Sequence, residues 1–188
     1  MLNNEQKKTL LKLARDTIEK YITQGIILKF ENKDPVLNEK RGAFVTIHNK
    51  GELRGCIGLI EVTQELYKTI IQMAIESATS DPRFPPVTPD ELNDIDIEIS
   101  VLTPPKKIKS IDEIILGKHG VIVKKGFRSG VFLPQVATET GWDKKTFLEH
   151  LCAGKAGLPK DAYLDKETEI YIFEADIFGE KDINKYSL

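Results

Sequence analysis

The stretch from residue 43 to residue 60 constrains the fold of this chain more than any other. Residues 43–48 (Ala-Phe-Val-Thr-Ile-His) are rich in β-branched and aromatic types, and the turn-forming residues 49–52 separate them from a second such run. This pattern predicts an antiparallel β-hairpin whose return strand covers residues 53–60. The chain must therefore contain a sheet in which two strands close in sequence are neighbours.

Apolar residues at helical spacing predict three helices. The first begins at a cap formed by Asn3 or Asn4, and Gly25 ends it in the left-handed conformation. Thr63 is predicted to cap the second helix. The third is predicted to begin at residues 140–143 (Thr-Gly-Trp-Asp), which resemble a capping box.

Further strands are predicted along the rest of the chain. Residues 95–102 alternate between apolar and polar types, which is typical of a half-buried strand. A second hairpin is predicted around residues 126–129, and a final strand over residues 170–177. Hairpins with helices set apart, and without regular βαβ alternation, favour an α+β fold with a mostly antiparallel sheet flanked by helices.

The composition limits the class of protein. The chain has 188 residues, of which 40% are hydrophobic and 30% charged, and its formal net charge is -2. These values suit one globular domain, or two small lobes that share a core, and they lack the strong basic excess typical of nucleic-acid binding. No apolar run approaches the roughly 20 residues that span a bilayer. Without a signal-peptide core or a disulfide framework, we expect a cytoplasmic protein that binds no membrane.

The chain lacks the short motifs that hold common cofactors. It has neither a Gly-x-Gly-x-x-Gly fingerprint nor a phosphate loop that ends in Gly-Lys-Ser/Thr. Its histidines, His48, His119 and His150, show neither an i, i+4 pair nor cysteine partners at zinc spacing. The sequence therefore predicts no cofactor and no metal site.

One hexapeptide in the return strand carries the candidate chemistry. Residues 53–58 read Leu-Arg-Gly-Cys-Ile-Gly, so Gly55 and Gly58 flank Cys56. Glycine weakens a strand unless the backbone bends or something approaches closely, which suggests an accessible sulfur and a substrate-binding role for both glycines. The guanidinium of Arg54 is a candidate to favour a thiolate or to bind an anion. The alternatives are that Cys56 is a small buried hydrophobe and Arg54 a solvated surface charge.

A catalytic thiol needs a base, and the histidines are the candidates. His48 is the nearest in sequence, but in a simple hairpin register Cys56 lies opposite Val45 and faces away from His48. His119 is the other candidate base. Cys152 lies at helical spacing among leucines, so it is predicted to be a core residue.

Arg83 is the second candidate anchor for negative charge. It stands in residues 81–86 (Asp-Pro-Arg-Phe-Pro-Pro), where the prolines predict a stiff, non-helical turn. Such a backbone favours Arg83 as an anchor for an acidic substrate, and we expect it to share one cleft with the hexapeptide. The alternative is that Arg83 stacks on Phe84 or pairs with Asp81.

Six motifs of this chain resemble the AMMECR family (AMME-syndrome candidate protein). They occur in the family's order and span nearly the whole chain: Leu-Arg-Gly-Cys-Ile-Gly at 53–58, Asp-Pro-Arg-Phe-Pro-Pro at 81–86, Ser-Val-Leu at 100–102, Leu-Pro-Gln-Val-Ala at 133–137, Gly-Trp-Asp at 141–143 and Lys-Ala-Gly-Leu-Pro at 155–159. Prokaryotic proteins of this kind are similar to the A component of the AmmeMemoRadiSam system.

The resemblance implies a fold, a site and pathway partners. It implies one α+β domain, here over residues 4–186, in which a larger and a smaller lobe pack intimately. It places a functional site around residues 53–58. It also implies a pathway shared with a Memo-like protein, related to non-haem iron dioxygenases, and with a radical-SAM enzyme. It implies no established activity, because the biochemical function of the family is unsettled.

Two functions from different classes follow from these residues. In the first, the chain is a Cys-dependent enzyme or enzyme subunit, with Cys56 as nucleophile or redox thiol and with Arg54 and Arg83 positioning negative charge. In the second, it is a non-catalytic adaptor that docks through the hexapeptide face. RNA binding is disfavoured, since the chain has no platform of aromatic and basic residues. A functional Cys56 should be partly exposed, with a pKa below the roughly 8.5 of a free cysteine. The sequence defines neither a reaction nor an oligomeric state.

Overall fold

The computed structural model describes residues 1–60 and 64–184, and the chain divides into two compact units. The first unit contains residues 1–102 and resumes at Asp176. The second contains residues 103–175. The second unit is therefore an insertion in the chain of the first.

The described residues form an α+β fold with two antiparallel sheets, which confirms the predicted class. The helices are α1 (Asn4–Gln24), α2 (Leu66–Thr79), α3 (Pro134–Thr140), α4 (Lys144–His150) and α5 (Glu180–Asn184). The strands are β1 (Ala43–Asn49), β2 (Glu52–Leu59), β3 (Ile95–Leu102), β4 (Lys106–Lys107), β5 (Gly120–Lys125), β6 (Arg128–Phe132), β7 (Glu169–Phe173) and β8 (Ala175–Gly179). Strand order is β2-β1-β3-β8 in the first sheet and β4-β7-β5-β6 in the second.

Helix α1 begins and ends where the sequence predicts. The side chain of Asn3 accepts a hydrogen bond from the backbone N–H of Gln6, and the side chain of Gln6 accepts one from the N–H of Asn3. This is a complete capping box. At the other end Gly25 has φ of 68°, and its N–H donates to the carbonyl of Tyr21. Local sequence signals alone therefore set both boundaries of this helix.

Strands β1 and β2 form the predicted hairpin. Its two loop residues, Lys50 and Gly51, have φ of 52° and 90°. Positive φ at both central positions is the requirement of a type I′ turn, whose twist matches that of the flanking strands. The turn residues therefore bring the hexapeptide strand back beside β1.

A bulge in β2 changes the register expected for this hairpin. Ile47 pairs with Gly55, whereas His48 pairs with Leu53, so Arg54 is an extra residue on its strand. An extra residue bends the strand and redirects its side chains.

The shifted register corrects the prediction about the surroundings of Cys56. Cys56 lies opposite Thr46 and not opposite Val45. Because a shift of one residue exchanges the two faces of a strand, Cys56 shares the face of β1 that carries Thr46 and His48. The expectation that His48 faces away from the thiol is therefore wrong.

The two faces of the first sheet differ in polarity. Strand β3 alternates as predicted, and its Ile97 and Ile99 are fully buried together with Val45 and Ile47 of β1. This face forms one apolar core with α1 and α2. The opposite face is half-buried and carries the polar residues that alternate with the core positions.

The second unit has its own core, and one predicted boundary in it is wrong. Cys152 is fully buried in this core beside Leu148, as predicted. Thr140 does not open α4, because it is the last residue of α3. The cap of α4 is Asp143, whose side chain accepts from the backbone N–H of Thr146.

The predicted final strand over residues 170–177 is in fact two strands. Strand β7 belongs to the second sheet and β8 to the first, with Glu174 between them. The apolar run is continuous in sequence, but the chain passes from one unit to the other within it.

Two further findings concern the helices. Thr63, the predicted cap of the second helix, lies outside the described residues, and α2 has Glu65 at its N-cap position. Among the residues that the structure describes, no helix is long and apolar enough to span a bilayer.

Candidate functional site

The two glycines of the hexapeptide are required by close packing. A Cβ atom at Gly55 would lie 2.1 Å from the backbone carbonyl oxygen of Ser77 in α2. A Cβ at Gly58 would lie 2.2 Å from the ring of Phe44 in β1. Both glycines therefore have a structural role that accounts for them without a ligand, and their predicted substrate-binding role remains a prediction.

A serine of α2 joins the two strands of the hairpin at the same point. The hydroxyl of Ser77 accepts a hydrogen bond from the N–H of Ile57 at 2.9 Å and donates one to the carbonyl of Val45 at 2.7 Å. Ser77 is 2% exposed. Helix α2 therefore fixes the backbone next to Cys56 on β2 and the neighbouring backbone of β1.

Asp81 connects the hexapeptide to the turn formed by residues 81–86. Its Oδ2 accepts from the backbone N–H of Cys56 at 2.9 Å. Its two oxygens also accept from Nε and Nη2 of Arg83, at 2.9 and 2.7 Å. Hydrogen bonds from Arg83 hold the pKa of Asp81 well below its usual range, although burial acts in the opposite direction. The carboxylate is therefore ionised and shared between the strand and the turn.

Arg83 lies beside Cys56 and is also held by its own turn. Its Nη2 is 3.4 Å from the carbonyl oxygen of Cys56, and its guanidinium carbon is 5.5 Å from the ring centre of Phe84. Pairing with Asp81 and stacking on Phe84 are thus both present. Even so, 54% of the Arg83 side chain is exposed, against 2% for Asp81. The outward part of this ion pair is therefore the positive guanidinium.

Arg54 holds the other end of the turn. It forms a bidentate pair with Glu91, at 2.7 and 3.0 Å, and donates to the carbonyls of Pro85 and Pro86 at 2.8 and 3.2 Å. The hydrogen bonds from Arg54 to Glu91 are the main reason why the pKa of Glu91 is lowered to about 2. The Arg54 side chain is 14% exposed. Its donors are used within the protein, so the expectation that Arg54 sharpens the Cys56 thiol finds no support in these contacts.

The Cys56 thiol is half-buried and contacts a neighbouring hydroxyl. Its Sγ lies 3.2 Å from Oγ1 of Thr46. Burial raises the pKa of this thiol, and this effect outweighs the opposing influence of the Thr46 hydrogen bond and the Arg83 charge. The expected depression of the pKa is therefore wrong, and the thiol is protonated at neutral pH.

The other candidate base, His119, and the predicted core residue, Cys152, are both residues of the second unit. His119 lies in the second unit, where its Nδ1 accepts from the N–H of Ile115 at 3.1 Å and its Nε2 is 3.9 Å from Glu174. A neutral ring with Nδ1 as acceptor carries its proton on Nε2. Cys152 is fully buried, and burial raises its pKa.

Glu98 is a site residue that sequence reasoning missed. It lies on β3 directly opposite Thr46, which in turn lies opposite Cys56. The three side chains therefore form one row across neighbouring strands on the polar face of the first sheet. Burial raises the pKa of the Glu98 carboxyl, while His48 opposes that shift. The alternation of β3 places Glu98 away from the core, but only the bulge at Arg54 brings Cys56 into its row.

The described residues include no group of three or more His, Cys, Asp or Glu side chains arranged to hold a metal ion. The side chains around Cys56 carry a thiol, a hydroxyl, carboxyl groups and an exposed guanidinium.

Comparisons with known proteins extend over nearly the whole chain. The AMMECR1 family model matches residues 11–178. A Methanothermobacter thermautotrophicus protein is 46% identical over 186 residues, which cover 95% of this chain and 96% of that protein. A Methanocaldococcus jannaschii protein is 44% identical over 188 residues, covering 96% and 92%. The crystal structure of an uncharacterized Pyrococcus horikoshii protein superposes with a TM-score of 0.87, at 42% identity over 96% of this chain and 94% of that chain.

Proposed function

We propose that this chain, which belongs to the AMMECR1 family, is a recognition subunit that binds an anionic group of its ligand. The residue that binds the anionic group is Arg83, beside the Cys56 thiol. The protein acts in a cytoplasmic pathway that also contains a Memo-like protein and a radical-SAM enzyme. In this pathway it delivers or presents an acidic substrate rather than activating it through a thiolate.

The observation that carries this proposal is the asymmetry of the Asp81–Arg83 pair. The carboxylate is 2% exposed and the guanidinium side chain 54% exposed, so an incoming ligand meets positive charge. Asp81 also holds the backbone N–H of Cys56, which fixes the guanidinium relative to the thiol. A guanidinium held in one orientation recognises carboxylate or phosphate groups with little loss of conformational entropy on binding.

The raised thiol pKa favours recognition over nucleophilic attack by a preformed thiolate. At neutral pH, burial keeps the Cys56 thiol protonated. The arginine that was expected to stabilise a thiolate, Arg54, is engaged with Glu91 and the turn carbonyls. Arg54 is therefore a positioning residue for the turn that carries Arg83.

Cys56 itself provides the probe for a test. In a Cys152→Ala background, the rate of alkylation by iodoacetate, an anion, is compared with the rate for neutral iodoacetamide. We expect the ratio of the two rates to exceed that of N-acetylcysteine amide by about threefold or more, since opposite unit charges about 4 Å apart attract each other by about 1 kcal/mol even in water. Arg83→Gln combined with Asp81→Asn removes both charges and should return the ratio to that of the free thiol.

Two controls keep the result specific. Lys50→Gln removes an exposed positive charge at the hairpin turn and should leave the ratio unchanged. Arg83→Lys retains the charge without the bidentate fork, and should retain part of the preference. A ratio equal to that of the free thiol in the Cys152→Ala protein would contradict the proposed anion site.

A further inference from the structure

The fold of the second unit brings three aromatic rings and a lysine together. The rings of Trp142 and His150 are stacked, with their centres 4.1 Å apart and an angle of 9° between their planes. The ring of Phe132 lies 6.2 Å from that of Trp142, and Nζ of Lys155 lies 5.9 Å from the centre of the Phe132 ring. Sequence alone predicts no such cluster, because its members are spread over residues 132–155.

The stack of rings runs from the core of the second unit to its surface. Phe132 is buried in that core, Trp142 is half-buried against it, and His150 is exposed. Trp142 covers one face of the His150 ring, so the exposed part of the ring is its other face and its edge. The stack therefore ends in a flat ring on which an aromatic ligand can stack in turn.

A π-helix at Leu151–Lys155 places a cation on the same side as this ring. Lys155 follows His150 by five residues. In an α-helix, residues five apart point about 140° away from each other. A π-helix has a wider turn, closed by i→i+5 hydrogen bonds, and brings such residues to one side. The N–H of Ala156 makes one of these bonds, at 3.0 Å from the carbonyl oxygen of Leu151.

The backbone of Lys155 is fixed and its charge is available. A Cβ atom at Gly130 in β6 would lie 2.8 Å from the backbone carbonyl carbon of Lys155, so the strand and the helix are in direct contact there. Lys155 is exposed. Among the residues that the structure describes, no carboxylate pairs with Lys155 or with His150. A ligand that stacks on the His150 ring therefore meets an uncompensated positive charge.

We propose that His150, Trp142 and Lys155 form a binding site for a flat aromatic ring that carries an anionic group, as a purine nucleotide does. The ring of the ligand stacks on the outer face of His150, and its phosphate binds Lys155. The stack offers one exposed ring, so the site takes a single nucleotide and not a strand, in agreement with a formal net charge of -2. All three residues belong to the second unit, so this site is independent of the anion site at Arg83.

Trp142 is the only tryptophan of the chain, so its fluorescence, excited beyond the absorption of adenine, reports on this site. We expect adenosine monophosphate to change it saturably and to shift the NMR signals of the His150 ring protons upfield, as stacking requires. Adenosine, which lacks the charge, should bind about fivefold more weakly. Inorganic phosphate, which lacks the ring, should produce neither change.

Matched variants separate the stacking from the charge. Lys155→Gln should lower the affinity for adenosine monophosphate about fivefold, to that of adenosine, and leave adenosine binding unchanged. His150→Ala should weaken both ligands about fivefold or more, since it removes the stacking surface. Lys145→Gln, which removes another exposed lysine of the same region, should change neither affinity.

An adenylate hexanucleotide distinguishes a free nucleotide from a strand. An affinity similar to that of the mononucleotide supports the single-nucleotide site, whereas binding tighter by about tenfold or more would overturn that assignment. A fluorescence change no larger than that of N-acetyltryptophanamide under the same titration would overturn the site itself. An affinity for adenosine monophosphate that both Lys155→Gln and His150→Ala leave unchanged would do the same.

Discussion

At the scale of single residues, Gly55 links the hexapeptide to helix α2. Replacement of Gly55 by alanine would place a methyl group 2.1 Å from the Ser77 carbonyl oxygen, and a backbone atom cannot move aside as a flexible side chain can. We expect Gly55→Ala to lower the free energy of unfolding by about 3 kcal/mol, the upper end of the range for overpacking. Urea denaturation measures this change.

Gly154 provides the matched control, because a Cβ atom there meets nothing within 4 Å. Gly154→Ala should change the free energy of unfolding by less than about 1 kcal/mol. Equal effects of the two substitutions would show that close packing is not the reason for the glycine in the hexapeptide.

The residues of the site were predictable from sequence only in part. Cys56, Arg83 and Asp81 could be found because they stand in distinctive short motifs, and the pairing of Arg83 with Asp81 follows from their spacing. Glu98 could not be found, because its relation to Cys56 depends on a one-residue bulge. A simple register places the cysteine opposite the wrong residue, and a shift of one residue exchanges the faces of the strand.

At the scale of elements, Ser77 joins α2 to both strands of the hairpin. Ser77→Ala leaves the part-buried N–H of Ile57 and the buried carbonyl of Val45 without this partner. We expect a loss of about 2–3 kcal/mol in the free energy of unfolding, since unsatisfied buried groups cost more than a single hydrogen bond contributes. Thr79→Ala removes a hydroxyl that bonds to the preceding turn of its own helix and to the adjacent, exposed Ser80 hydroxyl, and should cost less than about 1 kcal/mol. Similar losses for the two variants would contradict the bridging role of Ser77.

The ion pair between Arg54 and Glu91 should make the stability of the protein sensitive to acid. The pKa of Glu91 is lowered to about 2 in the folded state, chiefly by its hydrogen bonds to Arg54, so it binds protons less readily than in the unfolded chain. Because the pKa of Glu91 is lower in the folded state, its ionised carboxylate stabilises the folded state at pH values above about 4.5, the ordinary pKa of a glutamate. This stabilisation is lost as the pH falls towards 2.

Glu91→Gln should therefore flatten the decrease in the free energy of unfolding between about pH 5 and pH 2. At neutral pH it should cost about 2 kcal/mol, the contribution of a charge-assisted hydrogen bond. Denaturant unfolding across this pH range provides the measurement, and an unchanged slope in the variant would assign the acid sensitivity elsewhere.

The predictability of the elements depends on how local their signals are. The boundaries of α1 and the β1–β2 hairpin follow from caps and turn residues within a few positions of each other. The split of residues 170–177 into β7 and β8 does not follow from such local signals, because each half pairs with strands far away in sequence. A continuous apolar run does not show that its two halves belong to different sheets.

At the scale of the whole molecule, the second unit is inserted between two neighbouring strands of the first sheet, β3 and β8. We propose that both units unfold together as one domain over residues 4–186. Calorimetry should then show a single transition with equal calorimetric and van't Hoff enthalpies. Phe147→Ala, in the core of the second unit, should lower the midpoint of that whole transition. Two separate transitions, only one of which responds to Phe147→Ala, would contradict this.

The central claim is that Arg83 presents a positive group to a ligand beside Cys56, whereas Arg54 only holds the turn. Titration with inorganic phosphate, followed through the side-chain resonances of ¹⁵N-labelled arginine, separates the two roles within one sample. We predict a saturable shift of the Arg83 Nε signal together with the Cys56 amide, and little change at Arg54, whose side chain is 14% exposed. An Arg83 signal that does not respond to phosphate, or that moves no more than the Arg54 signal, would contradict the assignment of this surface.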